Sequence, residues 1–284
     1  MSIQWYPGHM TKARKAMAEA MPSQDVVIEV LDARMPLASE NPVVTELRKQ
    51  KPCIKVLSKS DLADPEVTRA WLAYFERRTE PSKERPEGKV LALAIRTDKP
   101  GEIKSRIPEL CKRLALHPSG PGKTVRAMIV GIPNVGKSTL INTLMERKVA
   151  KVGDEPAVTK SRQLVTLKNG MTIADTPGIL WPKIEDSSAS LRLALGGAIP
   201  DTAIDYESVA LFGAKFLLER YPALLRTRYK ITDLPETADA LLMEIGRRRG
   251  GLRAGGTIDL HKAADILIHD VRSGVLGRIT FEAP

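Results

Sequence analysis

The sequence predicts an α/β domain, a mostly parallel sheet with helices on both faces, followed by an all-α domain. Three observations predict it. Near-continuous apolar runs such as Asp25-Val26-Val27-Ile28-Glu29-Val30-Leu31 suit strands buried on both faces, and they alternate with helical patterns. A glycine-rich loop, Gly131-Ile132-Pro133-Asn134-Val135-Gly136-Lys137-Ser138, lies between one such strand and a helix. After Trp181 the strand signals stop, and helical periodicity runs from about residue 188 to about residue 273. The expected domains are therefore 1–182 and 183–284, and a chain of 284 residues is long enough for both.

Trp5-Tyr6-Pro7-Gly8-His9-Met10 opens the chain with a Pro-Gly turn signal. Residues 12–21 then read as a short helix that packs through Ala13, Met17, Ala20 and Met21. By residue type alone His9 is a surface histidine at the turn. The strand over residues 25–31 delivers Asp32-Ala33-Arg34 to its carboxyl end, where open α/β sheets gather ligands. Residues 43–49 read as a helix and 52–57 as the next strand, which runs into Ser58-Lys59-Ser60-Asp61. That segment resembles the guanine-reading motif N-K-x-D of GTPases. A carboxylate at Asp61 can accept hydrogen bonds from both N1 and N2 of guanine, a donor pair that adenine lacks. The stem of Lys59 covers the base. Ser58 departs from the motif, being shorter than an asparagine amide, which keeps an ATPase open as an alternative. The plain alternative for this stretch is a helix cap, with Ser60 or Asp61 capping from Pro65 onward, and residues 67–77 read as the helix. Residues 80–88 form a loop and 90–95 a third strand, and Ala94-Ile95-Arg96 lies where GTPases read guanine O6 with a backbone N–H. A helix over residues 103–114 and a Pro- and Gly-rich linker at 117–122 follow.

The glycine-rich loop fits G-x-x-x-x-G-K-[ST], the phosphate-binding P-loop, with strand 127–130 before it and helix 138–145 after it. Its glycines let the backbone curl so that N–H groups point at phosphate oxygens, aided by the positive end of the helix. The phosphate-binding residues are Asn134, Val135, Gly136, Lys137, Ser138 and Thr139. Lys137 reaches the β- and γ-phosphates, and Ser138 is a Mg²⁺ ligand. In the loop beyond, Thr159 is placed as the switch threonine that closes onto Mg²⁺. Residues 163–167 and 171–174 read as a strand pair about Lys168-Asn169-Gly170. Asp175-Thr176-Pro177-Gly178 then fits D-x-x-G, with Asp175 holding Mg²⁺ through water and the Gly178 N–H meeting the γ-phosphate. Ile179 stands where many GTPases have a water-orienting glutamine, so either hydrolysis is slow or another group supplies that function.

The tail carries helical patterns at 208–220, 236–247 and 259–271, and two basic clusters: Arg226, Arg228 and Lys230, then Arg247, Arg248 and Arg249. They read as a solvated surface or as an RNA-binding face. The net charge of +10 favours the RNA face, and only 4% aromatic residues favours phosphate contact over base stacking. Cys53 and Cys111 form no metal-ligand cluster and suit apolar packing in a reducing compartment. With no secretory h-region and no apolar run long enough to span a bilayer, no membrane partner is expected.

The motifs stand out of the usual GTPase order, with the base-reading segment first and D-x-x-G last, as in a circular permutation. The opening Trp5-Tyr6-Pro7-Gly8-His9-Met10, Asp32-Ala33-Arg34, the P-loop, and Asp175-Thr176-Pro177-Gly178-Ile179-Leu180 together resemble the RbgA/YlqF family. These are bacterial GTPases of late large-ribosomal-subunit assembly, and the resemblance covers essentially the whole chain. It implies a cytoplasmic GTP hydrolase that cycles between GTP and GDP with Mg²⁺, is stimulated by the pre-large subunit, and is a monomer off the ribosome. It implies that His9 is catalytic and that Asn134 ligates a K⁺ ion. Two rivals stay open: a nucleotide-gated rRNA-binding placeholder with little dependence on hydrolysis, and a GTPase acting on another ribosomal particle.

Overall fold

A computed structural model of the chain describes residues 8–77, 88–119, 121–146, 163–181, 184, 186–251 and 257–284. Six strands, β1 (Val26–Asp32), β2 (Cys53–Ser58), β3 (Val90–Ala94), β4 (Arg126–Val130), β5 (Gln163–Thr166) and β6 (Thr172–Asp175), form one sheet in the order β3-β2-β1-β4-β6-β5. All neighbours run parallel except the hairpin pair β5 and β6 at one edge. Every residue of β1 and β2 is buried. Successive side chains point to opposite faces of a strand, so both faces of the sheet are covered. Helices α1 (Gly8–Ala20), α2 (Pro42–Arg48), α3 (Pro65–Arg77), α4 (Pro100–Leu114) and α5 (Lys137–Met145) accompany it. Ala13, Met17 and Ala20 of α1, with Met21 just beyond, are buried as their spacing predicts. Trp71 and Phe75 of α3 form a separate apolar cluster with Leu31, Ala33 and Leu57.

The topology fixes where a ligand belongs. From the adjacent strands β1 and β4 the chain winds outward in opposite directions, to β2 and β3 on one side and to β6 and β5 on the other. Such a reversal opens a crevice at the carboxyl ends of the two strands. Asp32 ends β1, and the glycine-rich loop follows β4.

Beyond residue 186 the chain is helical: α6 (Ser187–Leu195), α7 (Tyr206–Arg220), α8 (Pro222–Tyr229), α9 (Ala238–Arg248) and α10 (Leu260–Ser273). Helix α7 packs against α6, α8, α9 and α10. Residues 182 and 183, at the expected boundary, lie outside the described residues. No helix among the described residues is long and apolar enough to cross a membrane.

The helical reading of the tail misses its end. After Gly274, which closes α10 in the left-handed conformation (φ 76°), the chain returns to the α/β domain as an irregular strap. Along it, Ile279 N donates to Leu62 O at 2.9 Å, and Phe281 N donates to Arg34 O at 2.6 Å. Asp64 N donates to Thr280 Oγ1 at 3.0 Å, and the Trp71 indole donates to Glu282 O at 3.0 Å. The Glu282 carboxylate accepts from the backbone of Leu37 and Ala38.

Candidate nucleotide and switch site

The phosphate loop starts from two constrained glycines. Gly131 has φ 146°, and a Cβ there would come within 2.5 Å of Val30 O, so the loop presses against β1 more closely than a side chain permits. Gly136, at φ 93°, turns the chain into α5. Between them Asn134 adopts the left-handed conformation (φ 58°), and Val135 is buried. Ser58 reaches this loop from β2: its hydroxyl lies within hydrogen-bonding distance of both Val135 O and Leu31 O. It ties the base-reading segment to the phosphate loop, a structural use that a short side chain satisfies.

Lys137 is buried and donates from Nζ to Ile132 O at 2.7 Å. Asp175, at the end of β6, is also buried, and neither of its carboxylate oxygens has a hydrogen-bond partner. Burial pushes the Asp175 carboxyl up to about 6, against the opposing pull of Lys137. Burial likewise brings Lys137 down to about 8, opposed by Asp175. The neighbouring Thr176 is anchored by its hydroxyl to Ile129 O at 2.8 Å. Gly178 closes the group: a Cβ there would lie 2.8 Å from Lys137 Nζ and from the Pro133 backbone. A buried, unsatisfied carboxylate that feels the charge of the P-loop lysine fits a hard divalent cation with oxygen ligands.

On the base side, Asp61 Oδ1 is buried without a hydrogen-bond partner. The capping alternative does not hold, because Asp64 takes that place: its Oδ1 accepts from Glu66 N at 2.9 Å and Val67 N at 3.3 Å. Lys59 turns through φ 54° and donates to Asp32 Oδ2 at 3.0 Å. Arg34 grips the same carboxylate with Nε at 3.0 Å and Nη2 at 2.8 Å. Burial alone would raise the Asp32 pKa, but the charges of Arg34 and Lys59 hold it well below the carboxylate range. Ser60 Oγ donates to Ile95 O at 2.7 Å, which docks the base-reading segment on the loop after β3. The Ile95 N–H is itself given to Leu57 O, so it is not the O6 reader in that loop.

Three side-chain hydrogen bonds run from this site into the helical domain. Arg34 Nη2 donates to Gly196 O at 3.1 Å, Arg34 Nη1 donates to Val271 O at 3.4 Å, and Asn134 Nδ2 donates to Gly197 O at 2.9 Å. The base side and the phosphate side of the site thus hold consecutive carbonyls of one turn after α6. Sequence reading missed this turn, the Arg34 network and the strap, because each joins residues far apart in the chain.

The two basic clusters converge. Arg248 Nη1 donates to Lys230 O at 2.6 Å, and the Arg249 guanidinium lies 6.0 Å over the Tyr229 ring. Arg247 and Arg248 also pair with Glu244, and Arg226 Nε approaches Thr232 O. Arg228 turns inward. It makes a two-pronged bond to Asp270, at 2.8 and 2.7 Å, that fastens α8 to α10. Thr159 and the stretch Trp5-Tyr6-Pro7 lie outside the described residues, as does the side chain of His9, whose backbone opens α1.

A P-loop at the reversal of a parallel sheet, a D-x-x-G aspartate beside its lysine, and a base-side carboxylate reached before the P-loop in the chain define a circularly permuted P-loop GTPase. A family profile described as 50S ribosome-binding GTPase matches residues 126–204. The chain is 45% identical to ribosome biogenesis GTPase A of Bacillus pumilus, covering 100% of this chain and 99% of that protein. The Thermotoga maritima protein of the same name is 32% identical over 99% of this chain and 95% of its own length. The solved GDP-bound YlqF structure superposes with a TM-score of 0.64 at 27% identity, covering 95% of this chain and 99% of that one. The chain belongs to the ribosome biogenesis GTPase A family, also named RbgA or YlqF, and by that membership is a GTPase of ribosome biogenesis.

Proposed function

We propose that this protein docks, with GTP bound, on a precursor of the large ribosomal subunit, hydrolyses the nucleotide there late in assembly, and leaves. The observation that carries the reading is the joint hold of Arg34 and Asn134 on the Gly196–Gly197 turn, which makes the helical domain part of the nucleotide site. The 50S-binding description of the family profile points to the same particle.

The residues divide the work. The backbone from Asn134 to Thr139 and Lys137 hold the phosphates, and Lys59 and Asp61 hold the guanine, with Ser58 bracing both loops. Ser138, Asp175 and Thr159 would hold Mg²⁺, which when bound neutralises charge on the phosphate oxygens. Asn134 would ligate K⁺. Gly178 presents its N–H to the γ-phosphate. Ile179 is buried and apolar, so it cannot orient water, and His9 supplies that function on the particle. Arg226, Lys230, Arg247, Arg248 and Arg249 face the rRNA phosphates, and Arg228 holds α8 in place for them. The GTPase unit spans residues 1–182 and the ribosome-binding unit 183–284. The protein acts in the cytoplasm and is a monomer off the ribosome.

The test is GTP turnover by wild type and His9→Ala, each with and without purified large subunits, in K⁺ and in Na⁺. Particles should stimulate wild type by about 10³-fold or more, the scale of GTPase activation by partners. They should stimulate the variant weakly with GTP binding intact, and K⁺ should outdo Na⁺. No response to particles from either protein overturns the partner. Equal stimulation of both returns His9 to the surface. Ile179 favours one second reading, the placeholder that turns over slowly. Departure from the particle at equal rates with GTP and with a non-hydrolysable analogue would establish it.

A further inference from the structure

We infer that Asn41 is a positioning residue for GTP hydrolysis, one that fixes the backbone just after the D-x-x-G glycine. The inference rests on the GTPase reading above. Asn41 is fully buried and uses both ends of its amide. Its Oδ1 accepts from Val43 N at 3.0 Å, which caps α2. Its Nδ2 donates to Ile179 O at 2.8 Å. The two backbone partners settle which end of the amide is which, since one needs an acceptor and the other a donor.

The residue that holds the switch is itself held. Asn41 N donates to Glu29 Oε1 at 3.0 Å, and the other Glu29 oxygen pairs with Lys55 Nζ. Glu29 and Lys55 are register partners on the neighbouring strands β1 and β2. Lys55 Nζ also reaches Glu40 Oε1 at 2.7 Å. Burial would lower the Lys55 pKa, but the Glu29 charge holds it above the usual range, so Lys55 stays charged. A buried ion pair is a weak source of stability compared with apolar packing. This one anchors the N–H of the residue that grips Ile179. The chain of contacts runs from the sheet interior through Asn41 to the switch backbone without passing through the nucleotide.

Gly178 precedes Ile179 and packs on Pro133 and against Lys137 Nζ. Its N–H has one productive position relative to the γ-phosphate, and a fixed Ile179 carbonyl limits where it can go. Asn41 thereby fixes the switch backbone, while the orientation of water stays with His9. Sites held by locked second residues are the ones that reach catalytic geometry.

The experiment uses the full chain with Mg²⁺ and GTP. Asn41→Ser and Asn41→Asp both keep an acceptor that caps Val43 N; the serine hydroxyl is too short to reach Ile179 O, and an ionised aspartate has no donor to offer it. The expected result is a kcat about tenfold lower or more, with the dissociation constant for fluorescent GDP and the melting midpoint close to wild type. Should Asn41→Asp fail to fold because of its added charge beside Glu29, the serine variant still reads the effect. An unchanged kcat overturns the inference. So does a parallel loss of kcat, GDP affinity and melting midpoint, the signature of a residue that only supports the fold. Wild type that binds GTP but never hydrolyses it overturns the GTPase reading and this inference together.

Discussion

Asp175 shows what a binding residue gives up before its ligand arrives. Its carboxylate is buried, holds no hydrogen bond, and retains its proton up to about 6 instead of 3.8. Between those values the folded state binds more protons than the unfolded chain, so this group makes stability fall as pH rises through that window. Asp175→Asn removes the titration. Without nucleotide and Mg²⁺, the variant should gain on wild type in melting midpoint from about pH 4 to about pH 6, the window set by the Asp175 shift, and hold that gain at neutral pH. Thermal scans in a pH series check this, and a gap that stays flat across the window sinks it. Asp175 was legible from D-x-x-G because phosphate and Mg²⁺ chemistry dictates a carboxylate at that spacing. The inward turn of Arg228 was not legible, since its partner Asp270 is brought to it only by the packing of α8 on α10.

At the scale of the element, the segment from β6 into Ile179 is held on three sides. Thr176 is tied to β4, Gly178 rests on the P-loop, and Asn41 grips the Ile179 carbonyl. Gly178→Ala sets a methyl group 2.8 Å from Pro133 backbone atoms, which cannot yield as a flexible side chain would. The segment must lift off the P-loop. We expect hydrolysis to drop by about 10²-fold, with GDP affinity little changed because the α- and β-phosphates are held by the P-loop itself. Single-turnover kinetics beside GDP titrations separate the two effects, and equal losses would contradict the expectation. Strands and helices of this domain were readable because apolar runs and helical periods are local signals. The helix over residues 43–49 was read without its start, the Asn41 cap and Pro42. The second bond of Asn41, across to Ile179, was not readable, because one amide carries no mark of a partner 138 positions away.

On the scale of the whole molecule, the strap bonds the helical part to the α/β part. Phe281 is buried, stands edge-on to Phe216 of α7 and lies under the Arg34 guanidinium, each at 6.0 Å. Phe281→Ala empties that junction and should cost about 3–5 kcal/mol, the usual range for a buried phenylalanine. Calorimetry should show one transition moved to lower temperature, and GDP binding should weaken because Arg34 braces Asp32 and Lys59. A loss confined to a separate helical transition would show that the domains melt independently. The division into an α/β part and a helical part was legible in the change of pattern after Trp181. The strap was hidden, since a short irregular segment has no period and its partners in the α/β domain lie more than 200 positions earlier.

The strap also sets an order in time. Chains are made from the N-terminus, and the early strands and the P-loop emerge while later residues are still being added. Residues 276–282 follow in synthesis everything that they clasp: Arg34, Leu37, Ala38, Leu62, Asp64 and Trp71. A nascent chain can therefore display its guanine- and phosphate-reading segments before the wall behind them is closed. Closure of that wall waits on residues 276–282, so the segments that read the nucleotide are synthesised before the clasp that fixes them.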